Sequence, residues 1–83
     1  MQGLVDVLRL YARRGALTVE EIDEEAGLLP EDYSRQFLAA VDECADRLYI
    51  MEVKGGRRAE PAWRLSPRGR RMLKITADFA GAA

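Results

Sequence analysis

Apolar residues recur at helical spacing in four stretches of the chain, and two short β-favouring stretches lie between the third and the fourth. From about Gln2 to Arg14, Leu4, Leu8 and Tyr11 share one helical face, with Val5 and Ala12 flanking them. Arg9, Arg13 and Arg14 lie on the other face or at the end where positive charge suits the helix dipole, and Gly15 is expected to stop the helix in a left-handed conformation. Thr18-Val19-Glu20-Glu21 reads as a capping box, with Leu17 placed to staple onto Ile22. The helix it opens is expected to turn Val19, Ile22 and Ala26 inward and to end at Gly27. A third helix begins at Pro30, which suits a first turn because it has no N–H to leave orphaned. Along it Tyr33, Phe37, Val41, Cys44 and Leu48 recur at steps of four, four, three and four, widened by Ala40 and Ala45.

The pattern then changes period. Tyr49 to Lys54 alternates around β-favouring residues, Gly55-Gly56 interrupts it, and Arg57-Arg58-Ala59-Glu60-Pro61 forms a basic loop. Ala62 to Leu65 returns as a second strand, with Pro61 at its start, so the pair is expected to form a β-hairpin with an arginine-bearing tip. Ser66 is a strong helix cap and Pro67 fits the next position. The helix they start carries Met72, Leu73, Thr76, Phe79 and Ala80 on its apolar side. The expected fold is therefore mainly α with a small β-hairpin (α+β), as a single domain over residues 1–83.

Composition narrows the chemistry. With 48% hydrophobic and 33% charged residues the chain reads as globular, and no apolar run approaches the ~18 residues of a membrane span. The opening residues have no basic region before an apolar stretch, which argues against a secretory signal. Cys44 is the only cysteine and there is no histidine. A lone cysteine makes no internal disulfide, so a reducing, cytoplasmic setting is expected. It also lacks companion soft ligands for zinc, and no imidazole exists to activate a nucleophile. No metal, no cofactor and no enzymatic activity are expected. Cys44 lies within the apolar stripe and reads as a small buried hydrophobe.

The net charge of −1 conceals a segregation. Residues 1–53 hold five basic side chains against twelve acidic ones, and residues 54–83 hold eight against Glu60 and Asp78. The two segments carry −7 and +6, which points to the second as the docking side for an anionic partner.

The order helix, helix, helix, hairpin, helix is that of a winged helix-turn-helix domain: three helices, a two-stranded wing and a C-terminal helix. Val19-Glu20-Glu21-Ile22-Asp23-Glu24-Glu25-Ala26-Gly27-Leu28 looks like the second helix and turn of a helix-turn-helix unit. Leu65-Ser66-Pro67-Arg68-Gly69-Arg70-Arg71-Met72-Leu73 resembles the L-[ST]-x-x-G-x-x-x-L segment that ends the wing in MarR-like and PadR-like transcriptional regulators. Leu65 would plug the core, Ser66 and Pro67 would start a helix abruptly, and Gly69 would let it pack closely. In those families a glycine-containing turn leads into the hairpin, whereas here Asp46-Arg47 precedes Leu48.

The resemblance implies a regulator that binds duplex DNA, with the N-terminal half of the third helix in the major groove. Candidate contacts are Ser34, Arg35 and Gln36 on that helix, Lys54, Arg57 and Arg58 on the wing, and Arg68 at the start of the last helix. For each the alternative is an ordinary solvated side chain. The same helix also presents Glu31, Asp32, Asp42, Glu43 and Asp46. Those carboxylates suit a second possibility, a protein-interaction module whose acidic second and third helices meet a basic protein partner. A homodimer paired through the first or last helix is compatible with both. Trp63 and Tyr49 are either contacts of such a dimer or the core of the hairpin.

Overall fold

The computed structural model describes residues 3–54 and 61–82, with side chains described for 3–53 and 61–76. The elements run α1 (Leu4–Arg14), β1 (Ala16–Thr18), α2 (Val19–Gly27), α3 (Glu31–Asp46), β2 (Ile50–Lys54), β3 (Pro61–Leu65) and α4 (Pro67–Ala82).

Local chemistry sets most of the boundaries. The Thr18 hydroxyl accepts from the Glu21 amide at 3.2 Å, and the Glu21 carboxylate accepts from the Thr18 amide at 3.1 Å. Both halves of the capping box are therefore made at the start of α2. Gly15 ends α1 at φ 85°, a conformation costly for other residues. Gly27, by contrast, is the last residue of α2 and keeps a negative φ, so the chain leaves α2 through Leu28 without a left-handed glycine.

α3 ends differently. The Tyr49 amide donates to the Cys44 carbonyl at 2.8 Å and the Leu48 amide to Ala45 at 3.1 Å, the paired bonds of a Schellman motif. The left-handed position of that motif normally takes glycine. Here Leu48 fills it, at φ 61°.

The hairpin forms as expected at its base, with β2 and β3 antiparallel and Lys54 opposite Pro61. The sheet nevertheless has three strands, not two. Ala16–Thr18 pairs antiparallel with β3, so the order is β1-β3-β2 and the expected second strand of the flap is the central one. A three-residue Ala-Leu-Thr strand has too little periodicity to declare itself. Leu17, opposite Trp63, is fully buried.

One apolar core joins these elements. Val7, Leu8, Leu10 and Tyr11 of α1 lie at its centre, so Val7 and Leu10, not Val5 and Ala12, complete that face. Ile22 and Ala26 of α2, Phe37, Ala40 and Cys44 of α3, and Leu17, Tyr49, Ile50 and Leu65 enclose it. Three expected core positions are exposed. Val19 sits in the first turn of α2, Tyr33 near the start of α3, and Leu48 beyond its end, 64% exposed. Helical spacing reports which way a side chain points, not how far neighbouring elements extend along that face. Tyr49 is buried in the core, and Trp63 is partly buried against that core.

Candidate nucleic-acid interface

The segment Leu65–Gly69 fixes α4 against the end of α3. The Ser66 hydroxyl donates to the Leu48 carbonyl at 2.5 Å and accepts from the Gly69 amide at 3.0 Å. The Ser66 amide donates to the Tyr49 carbonyl at 2.9 Å. A β-carbon on Gly69 would stand 2.0 Å from that same carbonyl oxygen, so only glycine permits the approach. Arg68, one residue earlier, is exposed, and its guanidinium lies 5.9 Å from the Tyr49 ring centroid, within cation–π range.

This geometry splits the expected contact set. Ser34, Arg35 and Gln36 lie near the N-terminus of α3, whereas Arg68 stands beside Tyr49, just past its C-terminus. At ~1.5 Å per residue, roughly 16 Å of helix separates the two groups. Lys54 is in the last pair of the hairpin ladder. Arg57 and Arg58 lie outside the described residues.

The electrostatics of the α3 N-terminus differ from those expected of a DNA-reading helix. Arg35 lies 3.2 Å from Asp32 and 3.9 Å from Glu31 on its own helix, in weak surface pairs that leave its side chain 73% exposed. The two carboxylates are 86% and 89% exposed, and they outnumber the one cation between them. Ser34 is partly buried, and Gln36 remains exposed.

The basic residues divide into two groups. In the acidic part of the chain Arg14 pairs with Glu21 and Glu25, and Arg47 with Glu43, as Arg35 does with Glu31 and Asp32. Arg64, Arg68, Arg70, Arg71 and Lys74 have no carboxylate partner among the described residues, and all five are exposed. Arg9 and Arg13 on α1 are likewise unpaired among those residues.

Arg64, Arg70 and Lys74 line one groove between α1, β3 and α4, floored by Leu65 and Leu73. The four-residue step from Arg70 to Lys74, one helical face, was legible as spacing. Their meeting with Arg64 was not, because it depends on where the central strand runs.

Burial pushes the Cys44 thiol up to about 11, with the charge on Glu43 adding to the effect. Burial likewise pushes the Tyr11 phenol up to about 12, with Cys44 contributing. Both groups therefore stay protonated at neutral pH. No cluster of candidate metal ligands occurs among the described residues. None of the described helices is long and apolar enough to cross a membrane. Comparison with protein-family models, with curated proteins and with solved structures finds no match to this chain.

Proposed function

We propose that the chain is a winged-helix domain that binds duplex DNA, as its resemblance to MarR-like and PadR-like regulators implies. Its phosphate-facing surface is the β3–α4 side together with the wing. The observation that carries this reading is the groove holding Arg64, Arg70 and Lys74 with no neutralising carboxylate among the described residues. Lys54, at the base of the wing, and Arg57 and Arg58 in the connecting segment belong to the same basic stretch of sequence.

Cations left free of internal partners are those able to release counterions from a phosphate backbone. The N-terminal half of α3 is a poor reader by the same reasoning. Its exposed Glu31 and Asp32 would face about one phosphate charge per 1.7 Å of duplex, and they outnumber Arg35, the one cation beside them. Ser34 and Gln36 then contribute at most local polar contacts. One such domain covers a short half-site, so a regulator of this kind is expected to act as a pair of copies.

Titration of random-sequence duplex at a series of salt concentrations tests the proposal. Binding should weaken with a log–log slope of about −0.9 per phosphate contact. Replacing Arg64, Arg70 and Lys74 together with Ala should make that slope shallower by about three contacts' worth. Arg35→Ala should leave both affinity and slope unchanged. Absence of binding at low salt, or loss of binding in Arg35→Ala alone, would reject this surface.

A further inference from the structure

α3 carries a second apolar stripe beside its core face. Leu38, Val41 and Ala45 recur at three and four residues along the edge of that face; Val41 and Ala45 are partly buried against the core, and Leu38 stands exposed beside them. With Val19 of α2 and Trp63 of β3 they line a groove of about 400 Å³. Val19 is 55% exposed and Leu38 37% exposed. Single exposed hydrophobes are ordinary on a protein surface, but here they converge in one concavity.

Charge also distinguishes the groove. Asp23 and Asp42 belong to its wall. They are part of a wider field, for residues 19–46 hold ten carboxylates and one cation, Arg35.

We propose that this groove between α2, α3 and the sheet docks a basic amphipathic helix of a partner protein, its apolar side against Leu38, Val41 and Trp63 and its Lys or Arg side chains toward Asp23 and Asp42. The shape and the charge select this occupant. A stripe running along α3 fits the helix-in-groove mode of recognition, read through residues three and four apart. The carboxylates repel nucleic acid and attract cations. A second copy of this chain is a poorer match, because Met72 and Leu73 of its basic helix, α4, already pack on its own core, which leaves Ile75 as the one exposed large hydrophobe of α4 among the described residues, too little for a stripe. This docking face is separate from Arg64, Arg70 and Lys74, so the inference does not rest on DNA binding.

The test uses the full chain and a synthetic 18-residue peptide of Leu and Lys with Leu at helical three-four spacing. Trp63 is the only tryptophan, so its emission reports on the groove directly. The peptide is expected to shift that emission to shorter wavelength and to bind at least tenfold more tightly than a scrambled Leu/Lys peptide. A Leu/Glu peptide of the same pattern should not bind.

Leu38→Lys, at a position exposed enough to tolerate the change, should weaken binding about tenfold. Asp23→Asn with Asp42→Asn should weaken it severalfold and reduce its salt dependence. Circular dichroism of each variant establishes that it is folded. Equal binding of the scrambled peptide, no response at Trp63, or unchanged affinity in folded Leu38→Lys would overturn the proposal. Self-association of the chain abolished by Leu38→Lys would overturn it in favour of a second copy, and loss of duplex binding in that variant would overturn it in favour of DNA.

Discussion

The α-carbon of Gly69 lies against the carbonyl of Tyr49 so closely that a β-carbon would stand 2.0 Å from the oxygen and 2.9 Å from the carbon. The obstacle is backbone, and that carbonyl already accepts the Ser66 amide. Gly69→Ala must therefore displace α4 or break the junction. The expected loss is about 3 kcal/mol, the upper part of the range for overpacking. Urea denaturation measures it, and a loss under about 1 kcal/mol would mean that α4 can slide aside.

Leu48 offers the opposite case. Its backbone is left-handed while its side chain is largely exposed, so glycine would relieve strain and give up little burial. Leu48→Gly should raise stability by about 0.5–1 kcal/mol, less than the full left-handed penalty because glycine also gains freedom in the unfolded chain. Leu48→Ala keeps the β-carbon and should show no gain. A gain equal to that of glycine would place the cost in the side chain.

The capping box sets an acid limit. Thr18→Ala should cost about 1 kcal/mol. The Thr18 amide and hydroxyl, with Arg14 beside them, hold Glu21 below its usual range. A depressed carboxyl pKa contributes stability that is present above the unfolded value and is lost as pH falls through the folded one. Glu21→Gln should flatten the acid side of the stability profile, as followed by thermal melts across pH.

Burial of Cys44 sets an alkaline limit. The unfolded thiol ionises near 9.0, and the folded one at about 11. Between those values the unfolded chain sheds a proton that the folded chain keeps, so stability falls as pH rises. Tyr11 acts in the same direction from 10.0 to about 12. Cys44→Ala should make the alkaline decline shallower. In the native protein the thiol should react with an aromatic disulfide reagent only as fast as the chain opens. Rapid stoichiometric reaction under native conditions would contradict its burial.

What could be read from sequence was mostly local. The exchange between Thr18 and Glu21 spans three residues, as does the Ser66 cap on the Gly69 amide, so residue type and spacing suffice; that Ser66 and Gly69 also meet the Leu48 and Tyr49 carbonyls does not follow from spacing. The ion pairs of Arg35 with Glu31 and Asp32 were also available at i−4 and i−3, and they bear directly on its candidacy as a DNA contact. What escaped was long-range. Ala16–Thr18 becomes a strand only because Ala62–Arg64 lies beside it. The groove lined by Arg64, Arg70 and Lys74 and the exposure of Leu38 likewise depend on how distant elements pack. Leu48 in a glycine conformation follows from the joint between two elements that its own spacing does not describe.

β3 is held on both sides, by β1 along Ala62–Arg64 and by β2 from Leu65 to the Lys54–Pro61 pair. Along Ala62–Arg64 the central strand is covered on both flanks, so a second chain could extend this sheet only from β1 or β2.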